Sequence, residues 1–84
     1  MNNTNKDQVK VGLIEVINTQ IETNNPPISK TTFERLCNSG YEEEESKKLM
    51  VNVLVHEMFM INKHNETFDQ ARFTAMMNAL PRVP

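Results

Sequence analysis

The chain has 84 residues, 38% of them hydrophobic, with no Trp and one Tyr, a size that buries only somewhat more than about 60% of the unfolded chain's surface. Its formal charge of −2 argues against a whole-chain attraction to nucleic acid or to an anionic membrane. The single cysteine, Cys37, rules out an intramolecular disulfide framework and suits a reducing compartment.

The opening MNNTNKDQ lacks the apolar core of a signal peptide. The longest nearly apolar run, Leu49 to Ile61, is too short for a membrane span and contains Asn52, His56 and Glu57. These features predict a soluble, cytoplasmic protein made of one helical domain over 1–84, with flexible ends at 1–5 and 81–84.

Residues 1–5 are polar, and Thr4 or Asn5 can serve as the cap of a first helix. Val9, Leu13, Ile14, Val16, Ile17 and Ile21 fall within an arc of roughly 160° at helical periodicity, which predicts that helix from Lys6 to Thr23, docked on a core. Val11 lies outside that stripe and is expected at the surface. Gly12, at its edge, weakens the helix by about 1 kcal/mol relative to Ala; it reflects either drift or a close helix crossing.

Asn24-Asn25-Pro26-Pro27 ends this helix, because a residue before Pro avoids the helical region and Pro donates no N–H. Ser29 is placed as N-cap of a short second helix, Lys30 to Ser39, with Ile28 and Phe33 at the positions of a hydrophobic staple. Phe33, Leu36 and Cys37 form its apolar face. Gly40 supplies the left-handed residue that ends it.

Glu42 to His64 reads as one long third helix. It begins with four carboxylates, Glu42 to Glu45, at the positive end of the helix dipole, with Lys47 and Lys48 within pairing distance along the helix. It then turns apolar on nearly every side. The alternating valines 51, 53 and 55 offer a strand as the competitor, but more than twenty residues without Gly or Pro favour helix. A last helix starts after Asp69 as N-cap, with Phe68 and Phe73 as its staple, and presents Phe73, Met76, Met77 and Leu80 before Pro81 stops it.

The motifs that could carry chemistry fall short. His56-Glu57 matches the start of a zinc-protease HExxH helix, but the second ligand position holds Met60, a poor zinc ligand. A looser site of His56, Glu57 and His64 places His64 two turns away, roughly 10 Å along the axis; a helix-end histidine and a polar edge of Asn52, His56 and Lys63 is the plainer reading. Cys37 has no base at a supporting spacing and is expected to be a buried, inert thiol. A helix-turn-helix about Gly40 would bring Glu42 to Glu45 against phosphates, and an acidic nucleic-acid mimic would rest on those four residues alone.

Glu57 is the anomaly, because it falls in the middle of the arc of Leu49, Met50, Val53, Met60 and Ile61. A carboxylate carried into a core must be paired, hydrogen-bonded or protonated, and Arg35, Arg72 and the Tyr41 hydroxyl are the candidate partners. The expected fold is therefore all-α, a small four-helix domain with a short second helix and a long central apolar third helix. The expected function is non-enzymatic: a protein–protein interaction module, as a homodimer or a small adaptor or regulator, using Val51, Val55, Met58 and Phe59. The alternative is a small ligand- or metal-responsive domain around Glu57 with His56 or His64. No cofactor is implied, and neither nucleic acid nor membrane is an expected partner.

Overall fold

The computed structural model describes residues 3–65 and 67–84, with side chains from residue 12 onward. All regular structure among these residues is helical: α1 (Asn3–Thr23), α2 (Pro27–Asn38), α3 (Glu43–His64) and α4 (Gln70–Ala79). The helix expected from Lys6 already begins at Asn3. Expectations about the side chains of Thr4, Asn5, Val9 and Val11 lie outside the described residues.

α2 and α3 pack against each other, and each touches both α1 and α4, whereas α1 and α4 do not meet among the described residues. α3, the longest helix at 22 residues, thus shares the centre with α2. Its inward stripe of Met50, Val53 and Leu54, flanked by Val51, meets Ile17 of α1, Leu36 of α2, and Phe73, Met77 and Leu80 of the α4 segment. Leu13, Ile14, Ile21, Ile28, Phe33, Tyr41, Leu49 and Met76 pack around this cluster while remaining partly exposed. Val16, expected in the buried stripe of α1, is an exposed residue at its edge.

The loops follow backbone chemistry. Asn24 takes a positive φ of 54° after α1, a conformation that Asn tolerates better than most residues. Gly40, at φ 107°, closes α2: its N–H donates to Cys37 O (3.1 Å) and the Tyr41 N–H donates to Leu36 O (3.2 Å). These are the paired bonds of a Schellman ending. At the start of α3 the Glu45 carboxylate accepts the Glu42 N–H at 3.2 Å, half of a capping box.

The start of α2 departs from the expected cap. The helix begins at Pro27, ahead of the expected Lys30, with Pro26 in extended conformation before it; proline is preorganised for a first helical position. Ser29 therefore sits inside the helix, buried, and its hydroxyl donates to Gln20 Oε1 of α1 at 2.6 Å. The buried face of α2 is Ser29, Thr32 and Leu36 rather than Phe33, Leu36 and Cys37. Small side chains at 29 and 32 let α2 approach its neighbours, which turns Phe33 to the core's edge, where the Lys47 ammonium lies 5.4 Å from its ring centre.

Gly12 is exposed, and a Cβ built there meets no described atom within 4 Å, so no helix crossing among the described atoms requires it. Gly12→Ala is expected to stabilise the fold by about 0.5–1 kcal/mol through lower unfolded-state entropy. A chemical-denaturation midpoint that moves upward supports this; one that moves downward contradicts it.

Candidate interaction face on α3

The helical repeat divides α3 into two faces. Ser46, Met50, Val53, Leu54 and Glu57 are buried and recur at the three- and four-residue spacings of one helix side. Lys48, Asn52, Val55, Phe59 and Asn62 recur in the same way on the opposite side, and all are exposed. The inward side therefore includes a carboxylate, and the outward side includes large apolar residues.

Glu57 retains only 2% of its accessible surface. Its Oε1 accepts Arg72 Nε at 2.7 Å, and its Oε2 accepts Arg72 Nη2 at 3.0 Å and the Asp69 N–H at 2.9 Å. The guanidinium thus grips the carboxylate with two parallel bonds, the strongest common geometry for such a pair. The Asp69 carboxylate in turn caps α4, with Oδ1 accepting the Arg72 N–H at 3.0 Å. Arg72 is the partner among the three that the sequence offered.

Arg35 has a separate task. Its Nη1 and Nη2 donate to Leu80 O (2.9 Å) and Met77 O (3.0 Å), carbonyls at the end of α4, where helical pairing runs out; Met77 O also accepts the Leu80 N–H at 3.2 Å. α4 is held at its start by α3 and at its end by α2. Phe68 and Phe73 pack across the Asp69 cap with ring centres 5.3 Å apart and planes tilted by 55°, the contact of a hydrophobic staple.

The hydrogen bonds from Arg72 hold the Glu57 carboxyl below the ordinary carboxylate range, with the Asp69 N–H assisting and burial opposing. Both Glu57 oxygens are engaged. His56 lies outside the core with its ring centre 6.5 Å from that of Phe59, and His64 is exposed at the last residue of α3. The three residues of the alternative metal or ligand site do not converge. Among the described residues no group of three or more His, Cys, Asp or Glu side chains is placed to hold a metal ion.

Cys37 is only partly buried, with Sγ 3.7 Å from Ser46 Oγ, so the expectation of a buried thiol is corrected. It follows from the same rotation of α2 that exposes Phe33. No helix among the described residues is long and apolar enough to cross a membrane.

The four residues expected at an interface separate into two groups. Val51 is 9% exposed and belongs to the core, although Met58, seven residues further along the same flank, is half-exposed, so the neighbours at each level rather than the helix side decide. Val55, Met58 and Phe59 keep 49%, 52% and 54% of their surface. Together with Leu13 of α1 and Asn62 they line a shallow apolar groove between the two helices. The Lys63 ammonium lies 5.4 Å from the Phe59 ring centre, a cation–π contact that fixes a positive charge at the rim. Lys48 and Asn62 on this side were not singled out from sequence; the helical repeat that picks out Val55 and Phe59 would have found them. No family model, curated protein or solved structure matches this chain.

Because Glu57 titrates lower in the folded chain than in the unfolded one, its contribution is complete above the unfolded value, about 4.3, and is lost as pH falls through the depressed folded value. Glu57→Gln is expected to cost about 2–4 kcal/mol at pH 7, since it breaks a buried charge pair. The variant should also lose stability less steeply below about pH 4. Denaturation curves at pH 7 and pH 3 check both, and unchanged stability at pH 7 would contradict the assignment.

Proposed function

We propose that this chain is a non-enzymatic protein–protein interaction module that engages its partner through Val55, Met58 and Phe59 on the outward side of α3. The observation that carries the reading is the clustering of these three half-exposed apolar side chains on adjacent turns of α3. Single exposed apolar residues are ordinary on a protein surface, whereas a contiguous group with a polar rim has the composition of a binding patch. Asn52, His56, Asn62 and Lys63 provide that rim.

Two further features support the reading. The fold does not depend on these side chains, because the core cluster is complete without them. Methionine beside an aromatic ring also gives a surface able to adapt its shape to a partner. The apolar residues Phe68 and Val83 are exposed too, but Phe68 already packs on Phe73 and Val83 stands in the segment after α4.

Phe59→Asp is expected to abolish association while changing stability by less than about 1 kcal/mol, as for other exposed positions. Val83→Asp is expected to leave association intact. Capture by the immobilised chain from its source cells, with helicity checked by circular dichroism, compares the two variants. Equal capture by wild type and Phe59→Asp would overturn the reading.

A further inference from the structure

The outward side of α3 carries a charge pattern as well as an apolar one. The first turn of α3 holds Glu43, Glu44 and Glu45 and its last holds Lys63 and His64; of these Glu44, Glu45 and Lys63 fall towards the outward side, whereas Glu43 and His64 share the side of Met50 and Glu57. Between them the exposed residues Lys48, Asn52, Val55, Phe59 and Asn62 continue the stripe that Glu44 and Glu45 begin. The helix is therefore acidic at one end, apolar towards the other and basic at its end. Such a surface complements itself when a second copy is laid alongside in the reverse direction.

We propose that the occupant of this face is a second copy of the chain, with the two α3 helices packed antiparallel about a two-fold axis between Val53 and Leu54. The proposal rests on the interaction reading above and names the partner of that same face. The axis is the midpoint of α3 (Glu43–His64), so the two helices overlap along their full length of about 33 Å.

The register assigns each residue a partner. Glu44 faces Lys63 of the second copy, a pair that occurs twice. Phe59 faces Lys48, whose aliphatic stem covers the ring while its ammonium remains wet. Val55 lies level with Asn52 and within one helical turn of the other copy's Val55, which places an apolar contact beside the axis. Asn52 already donates its amide Nδ2–H to Lys48 O at 3.1 Å, so it enters the contact with that donor satisfied. Lys63 is held over Phe59, which draws its ammonium towards the middle of the stripe and within reach of the other copy's Glu44.

The competing parallel arrangement stacks the glutamates of one copy on those of the other and the two Lys63 side chains together, which is repulsive at both ends. An isologous antiparallel contact is also closed, so assembly stops at two. A contact one helix wide is at the weak end of interfaces. The dimer is therefore expected to assemble in the upper part of a concentration range up to about 1 mM chain, and to weaken as salt screens its end pairs.

Charge reversal tests the register without touching the core. Sedimentation equilibrium of the full chain is compared for wild type, Glu44→Lys, Lys63→Glu, the double variant and an equimolar mixture of the two single variants. Each single variant alone sets like charges against each other twice, and its dimer dissociation constant is expected to rise about tenfold or more. The double variant restores opposite charges. So does the mixture, because both end pairs of the mixed dimer are then opposite in sign, and it is expected to associate more tightly than either variant alone. A dimer that Phe59→Asp dissociates but the reversals leave unchanged overturns the antiparallel register and leaves the apolar-face reading standing. A wild-type monomer throughout overturns the second copy as occupant, with the capture comparison still deciding the face. A dimer insensitive to Phe59→Asp and to the reversals overturns both.

Discussion

Burying a carboxylate in a domain of this size is costly unless its charge is answered at once, and the Glu57–Arg72 pair is where this chain meets that demand. Two guanidinium bonds and the Asp69 N–H occupy both oxygens. The pair forms only if α4 starts beside the third quarter of α3, so it fixes where α4 begins. Arg35 then fixes where α4 ends, through the carbonyls of Met77 and Leu80. A ten-residue helix, too short to persist alone in water, is thereby anchored at both ends by arginines.

The same pair sets the rotation of α3. Once Glu57 points inward, Met50, Val53 and Leu54 point inward with it, and Val55 and Phe59 are directed away. A purely apolar helix could roll to bury whichever side fits best, since hydrophobic burial is non-directional. A bidentate ion pair removes that freedom. The outward apolar residues are therefore a consequence of geometry that the core itself imposes.

Much of the fold was legible in the residues because it rests on local chemistry. The Asp69 cap, the Phe68–Phe73 staple, the Gly40 ending and the breaks at Pro26 and Pro81 are all read within a few positions of one another. The long third helix emerged from an uninterrupted run of helix formers, against the competing signal of alternating valines. What local pattern could not give was rotation. Ser29 has the composition of an N-cap, yet it lies inside α2 because Pro27 starts the helix earlier and Gln20, on another helix, takes its hydroxyl. Val51 and Val55 are equivalent in type and one turn apart, and only the packing of neighbours distinguishes the buried one from the exposed one. Glu57 was conspicuous from its place in an apolar arc, but choosing Arg72 over Arg35 required knowing that α4 starts beside α3.

If the side of α3 turned away from Glu57 is where this protein meets its own second copy, atoms of the two chains must approach one another along that side. Isotope-filtered nuclear Overhauser measurements on a mixture of labelled and unlabelled chains detect such approaches. Intermolecular contacts are expected from the Phe59 ring to the Lys48 side chain and between Val55 methyls across the axis. Intermolecular contacts confined to other surfaces, such as Phe68 or Val83, or none at concentrations near about 1 mM, would rule the antiparallel α3 dimer out.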